Sequence, residues 1–232
     1  MTIRLDDWTQ GPTGSGQGGW TAQRFSAAIG QPVTIALRRP IPLETDLQIA
    51  AIGDEWHLIE PGVDAPVMIA TAWTPDIPDA DPVSIEDAAS ARTGFPFFED
   101  HALPHCFSCG LGASMHVHPG PLSDGRWATD WVAPTWATGP DGAGDPGVLW
   151  AAVDCTQGFY AGGLPRRHAL TAQLAVEQLA PIEPGGRYAV LGWWGDYPAG
   201  WDGRKRGACG AVFDSQGQCV ARSRTFWIAL DA

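Results

Sequence analysis

Asp145-Pro146-Gly147-Val148-Leu149-Trp150-Ala151-Ala152-Val153-Asp154-Cys155-Thr156-Gln157-Gly158-Phe159-Tyr160 decides how this chain is read. Pro146 suits the first turn of a helix, where the N–H that proline lacks would have no intrahelical acceptor. Asp145 before it is an N-cap residue. From Gly147 onward the stretch is apolar nearly all round, so it predicts a helix over 147–160 buried on most sides. Asp154 is its one carboxylate. Such a group inside an apolar helix is costly unless it is paired or used. Gly147 and Asp154 lie seven residues apart. That is about two turns, which puts the glycine at the helix entrance and the acid midway along the same face.

Working outward, the same order of elements occurs twice. A glycine-rich run, Gly14 to Trp20, reads as flexible and leads into a helical segment, Thr21 to Ile29, that Gly30 terminates. Strands follow at 32–37, 45–52, 55–59 and 67–73. In the second half the helix is followed by strands at 169–179, 187–194, 207–214 and 219–230, with Met115 to Pro119 and Arg126 to Ala133 as earlier strands. Gly19 pairs with Gly147 at an offset of 128, and Pro40 with Pro181 at 141. The difference corresponds to an insertion around 161–167. Similarity at this scale suggests duplicated domains. Between the halves, 74–82 is rich in Asp and Pro and reads as linker. Ser84 with Asp87 then starts a short helix in capping-box fashion. The expected division is 1–75, a linker 76–104, and 105–232.

Composition narrows the function. With 232 residues there is ample core for one large domain or two small ones. Abundant glycine (29) and proline (20) suggest many turns and a β-rich fold. A formal net charge of −12 argues against nonspecific nucleic-acid binding. It also means that an anionic ligand such as coenzyme A would need a local basic patch. Arg166-Arg167 and Arg204-Lys205-Arg206 are the candidates, each also readable as a solvated turn. No apolar run approaches the roughly 20 residues of a membrane span, and Met1 to Asp7 does not read as a signal peptide. The expectation is a soluble cytoplasmic protein.

The Gly147–Asp154 spacing resembles the central helix of hotdog-fold thioesterases, in the families related to the phenylacetate-pathway enzymes. There a His-Gly-Gly turn enters the helix and the catalytic Asp or Glu lies seven residues after the second glycine. Here Asp145 replaces the His and Pro146 the first Gly. Cys106-Phe107-Ser108-Cys109-Gly110 is similar to a Cys-Phe-x-Cys-Gly opening common in those families. The doubled order resembles the double-hotdog acyl-CoA thioesterases over about 10–73 and 105–230. The resemblance implies an α+β double hotdog, with two antiparallel sheets joined side by side and each wrapped around a central helix. It implies sites between the two hotdogs, where one helix entrance supplies N–H groups and the other helix the acid.

On that pattern Gln17-Gly18-Gly19 matches the glycine turn, with Gln at its first position. The acid position of the first helix is Ser26. One complete site follows from Gly18 and Gly19 plus Asp154, while the mirror site, Ser26 with Gly147, lacks a base. The implied activity is hydrolysis of an acyl-CoA or other acyl thioester, with Asp154 as general base or nucleophile and no cofactor. The family's strand Thr/Ser and Gln correspond by order to Thr171 and Thr225, with Thr156 and Gln157 as alternatives. Double hotdogs often associate further, so a homo-oligomer is compatible. The rival readings are a hotdog that only binds an acyl or aromatic ligand or a partner, and a hotdog dehydratase or hydratase. The latter needs a His beside the acid, and neither helix has one; His168 would have to fold back. If Asp154 is catalytic it should open into a pocket near the Gly18 and Gly19 amides.

Five cysteines (106, 109, 155, 209, 219) are too few and scattered for a disulfide scaffold. Cys155, Cys209 and Cys219 read as core or half-buried thiols. Cys106-x-x-Cys109 with His101, His105, His116 and His118 nearby brings zinc to mind. It lacks a second Cys-x-x-Cys, so a packed turn is the preferred reading and no metal is expected. The twelve tryptophans are read first as core.

Overall fold

The apolar stretch forms α3, Pro146–Gly162, with Asp145 Oδ1 accepting a hydrogen bond from Gly147 N at 2.8 Å. In this computed structural model, residues 1–73, 76–112, 115–139, 141–162, 169–194 and 205–229 are described. α3 is buried because its neighbours surround it: Val148, Leu149, Ala151, Ala152 and Val153 are all fully inaccessible. α1, Gly18–Ile29, packs directly against it. Gly30, at φ +79°, ends α1 in the left-handed region and returns its N–H to Ser26 O. That is the stop that its missing side chain allows.

The glycine-rich run before α1 departs from expectation. The helix begins at Gly18, and residues 15–19 are buried. Gly16 N donates to Ile41 O, Gln17 N to Thr9 O, and Ile41 N to Ser15 Oγ. The glycines here serve close backbone approach: a Cβ on Gly19 would drive into the Trp150 carbonyl of α3.

The strands are β1 (Thr2–Ile3), β2 (Val33–Leu37), β3 (Leu47–Ile52), β4 (Glu55–Ile59), β5 (Met68–Ala72), β6 (Gly120–Pro121), β7 (Trp127–Val132), β8 (Ala169–Gln178), β9 (Arg187–Trp193), β10 (Lys205–Asp214) and β11 (Cys219–Ala229). They form one antiparallel 11-stranded sheet in the order β1-β3-β4-β5-β2-β8-β11-β10-β9-β7-β6. The fold is α+β, but the expected pair of sheets is a single one. β2 and β8, the first strands after α1 and α3, hydrogen-bond with Ile35 opposite Leu174 and Ala36 opposite Gln173. Pairing there removes two free edges, which would otherwise present open backbone donors and acceptors.

Strand alternation fixes both faces of the sheet in the second half. Val190 and Val212 point into the core around α3. Ala189, Leu191, Ala211 and Phe213 point the other way, onto Val83, Ile85, Ala88 and Ala91. α2 (Ile85–Arg92), capped by Ser84 Oγ accepting from Asp87 N, therefore covers the sheet's outer face. Residues 115–119 are not a strand. His116 has φ +54°, outside the extended region, and this segment bonds instead to the turn before it, through Met115 N to Phe107 O and Val117 N to Ser108 O.

Candidate functional site

Asp154 sits where the two helices touch. It is 3% exposed. Its Oδ2 accepts from Gly19 N at 3.0 Å and from Gln17 Nε2 at 2.7 Å. Its Oδ1 accepts from Thr171 Oγ1 at 2.9 Å. Gln17 is also the N-cap of α1, its Oε1 accepting from Trp20 N at 2.7 Å. One side chain thus caps one helix and holds the acid of the other. Thr21 N returns to Gln17 O, so the first-turn donor left over is Gly18 N–H, with no bond among the described residues. A Cβ on Gly18 would meet Asp154 Oδ2 at 3.1 Å, Leu37 Cδ2 at 3.3 Å and Thr171 Oγ1 at 3.5 Å. The bare Gly18 backbone therefore faces the point where acid and hydroxyl converge.

Electrostatics at this carboxylate are opposed. Burial pushes its pKa up to about 7, while the bonds from Thr171, Gly19 and Gln17 pull it down and the nearby Cys106 thiol pushes it up. The α1 entrance adds the positive end of its dipole.

Thr171 reaches the acid through a bulge. Along β8, Leu174 faces the core opposite Thr225 of β11, yet Thr171 pairs with Trp227 and Gln173 with Phe226. Ala172 has no opposite residue. Positions 171 and 174 would face opposite sides of a regular strand; the extra residue turns both inward.

The other sequence candidates lie elsewhere. Thr225 Oγ1 accepts from Trp227 Nε1 at 2.8 Å and donates to Ala208 O at 3.3 Å, so this hydroxyl is engaged with β10 and β11 rather than with Asp154. Thr156 returns its hydroxyl to Ala152 O. Gln157 bonds Ala208 O and Ser223 Oγ. Gln17, read only as part of the glycine turn, is a direct partner of the acid. Its place at the His position of the turn was the available signal.

The mirror position is filled. Arg24 grips the Asp145 carboxylate with both terminal nitrogens, NH1 at 2.9 Å from Oδ1, and its guanidinium lies 4.0 Å from the Trp20 ring centre. The Trp20 ring occupies the space a Cβ on Gly147 would need, at 2.6 Å. Ser26 offers no acid.

Two of the open clefts are not lined by Asp154. One lies at the α3 entrance, lined by Gly144, Pro146 and Ala180 among others; the other lies between α2 and β6. Residues Arg166, Arg167, His168 and Arg204 lie outside the described residues. Lys205 and Arg206 are on β10, where Arg206 NH1 donates to Ala161 O at 2.7 Å.

Next to the acid, Cys155 meets the 106–110 turn. The sulfurs of Cys106, Cys109 and Cys155 lie within 4.8 Å of one another, all buried. Gln17 Nε2 is 3.7 Å from Cys155 Sγ. His118 is buried and His116 exposed, with their ring centres 5.7 Å apart.

No family model matches the chain, and no curated protein does. Solved structures do. The PaaI protein of the Escherichia coli phenylacetic acid degradation operon is 12% identical, over 46% of this chain and 74% of its own, with a TM-score of 0.41. The protein smu.793 of Streptococcus mutans UA159, solved bound to acetyl CoA, is 13% identical over 45% and 80%, at 0.40. A hypothetical thioesterase protein of Streptococcus pneumoniae TIGR4 is 11% identical over 49% and 90%, at 0.43. Each matches about half of this chain. No helix among the described residues is long and apolar enough to cross a membrane.

Proposed function

We propose that this chain is a fused pair of hotdog units, 1–75 and 105–232 joined by 76–104, that hydrolyses an acyl thioester such as an acyl-CoA at one site. The observation that carries the reading is the Asp154 carboxylate of α3 seated on the entrance of α1 beside the Thr171 hydroxyl. The thioester carbonyl oxygen accepts from Gly18 N–H, where the helix dipole favours the developing negative charge. Gly19 and Gln17 fix the acid. Asp154 takes a proton from water as its oxygen attacks the carbonyl carbon. The tetrahedral intermediate then expels the thiolate, which receives the proton, leaving a carboxylic acid and a free thiol. Thr171 orients Oδ1. The filled mirror position supports one site per chain.

A second reading has its own observation. Asp154 is nearly sealed and its oxygens already accept three bonds. A binding module that keeps this carboxylate as an internal tie would look the same. Thiol release from a panel of short, long and aromatic acyl-CoA esters separates the two. Hydrolysis predicts release from at least one class. Silence across the panel, together with a ligand-dependent rise in melting temperature, favours the binding module.

A further inference from the structure

The three-thiol cluster plays no part in the hydrolytic reading. We propose that Cys106, Cys109 and Cys155 form a site for one zinc ion, held by three thiolates, that ties the 106–110 turn to α3. This proposal stands independently of the hydrolase reading.

Geometry is the first support. Cys106 Sγ and Cys155 Sγ are 3.9 Å apart, and all three sulfurs fall within 4.8 Å of one another. Zinc–sulfur bonds of about 2.3 Å in a tetrahedron set sulfur–sulfur edges near ~3.8 Å. A disulfide needs about 2.05 Å, and one disulfide would leave the third thiol over.

The turn is the second support. Cys106 and Cys109 have the two-residue spacing common in chelating turns. Gly110 N donates to Cys106 O at 2.7 Å, and a Cβ on Gly110 would lie 2.5 Å from Cys106 O and 2.6 Å from Pro104 O. Only glycine fits that closure. The third ligand comes from a different element, so the ion would cross-link residues 49 apart in sequence.

His101 stays outside the ligand set: its Nδ1 accepts from Leu103 N at 2.9 Å, which leaves the ring proton on Nε2, so a solvent molecule would take the fourth position. Binding releases the thiol protons to solvent, so affinity rises with pH.

The test uses the full chain, stripped with a chelator under reductant and titrated with zinc, and with cobalt(II) as the spectroscopic probe. One equivalent should bind, and cobalt should show thiolate-to-metal charge-transfer bands. Cys109→Ser and Cys155→Ser should each weaken zinc binding at least tenfold, while Cys219→Ser, outside the cluster, should not. Should the serine variants fail to fold, alkylation mapping on the unmodified chain decides. Zinc should protect residues 106, 109 and 155 and leave Cys219 as reactive as before. Cobalt bound without thiolate bands, protection of other cysteines, or a folded stripped protein that takes up no zinc would each overturn the proposal.

Discussion

The Asp154 carboxylate accepts a hydrogen bond at 3.0 Å from the backbone amide of Gly19, a residue 135 positions earlier in the chain. Neither half contains this pair by itself. It exists because α1 and α3 approach so closely that one helix's first turn reaches the other's middle, and that approach is possible only where Gly19 lacks a side chain.

Gly19→Ala therefore strikes backbone. Its methyl would meet the Trp150 carbonyl and Asp154 Cβ, neither of which can swing aside. We expect a loss of about 3 kcal/mol, at the upper end of ordinary overpacking, read as a shift in the urea midpoint. Gly18→Ala meets mostly side-chain atoms at 3.1–3.5 Å. It should cost less stability and lower turnover more, since its methyl enters the reacting space. Equal stability losses for the two would contradict this account of the helix contact.

Gln17→Ala removes the α1 cap and one donor to the acid at once. A lost cap costs roughly 1 kcal/mol, and a lost charge-assisted bond about 1.5–3 kcal/mol. Thermal or urea unfolding should show a drop of that combined order. Gln17→Asn, too short to reach both partners, should resemble the alanine variant.

Thr171→Val keeps the shape of the side chain and deletes the donor to Oδ1. Turnover should fall by about tenfold or more, at near-unchanged KM, the pattern of a group that positions the base. Deleting Ala172 removes the bulge and turns Thr171 to the opposite face. That variant should lose activity at least as severely, and full activity in it would break the link drawn between bulge and acid.

With the thiols held metal-free by chelator, acid strength gives a signed prediction. Burial holds the Asp154 pKa at about 7, above its ordinary value of 3.8, with the Cys106 and Cys155 thiols as the titratable neighbours. Only the ionised form is a base, so turnover should rise with pH through about 7 and then level. Stability runs the other way. A raised carboxyl pKa means that folding favours the proton; this contribution is full below the unfolded pKa and is lost as pH rises through 7. Melting temperature relative to Asp154→Asn should fall between pH 5 and pH 8. A flat difference would place the pKa elsewhere.

The sequence pattern went far where a single helix or strand carried the signal. The apolar run with one acid located α3 and Asp154, and the spacing from Gly19 located its partner amide. Thr171 was reached by counting strands after α3. Thr225 was also chosen by strand order; it shares the inner face with Leu174 but lies farther along the sheet, bonded to Ala208 O and Trp227 Nε1, because order along the chain does not reveal the register between strands. That the strands of the two halves join was expected from the resemblance alone; that β2 and β8 are the joining edges is a property of both edges and legible in neither strand. Gln17 was visible in the turn, but nothing local showed that its amide would span a cap and an acid at once. The ordering of residues 15–17 came from bonds with Thr9 and Ile41, which no local pattern in the run announces. Cys155 is a core thiol as expected, but only the fold sets it against the 106–110 turn.

On the proposed mechanism the Asp154 carboxylate is the base that hydrolysis requires. The most direct measurement is kcat/KM for thiol release by Asp154→Asn beside the unmodified chain, on whichever acyl-CoA ester the unmodified chain cleaves, with circular dichroism verifying the fold of both. A fall of about 10²–10⁴-fold is expected, the usual cost of losing a general base. A folded Asp154→Asn protein that releases thiol at the unmodified rate would contradict it.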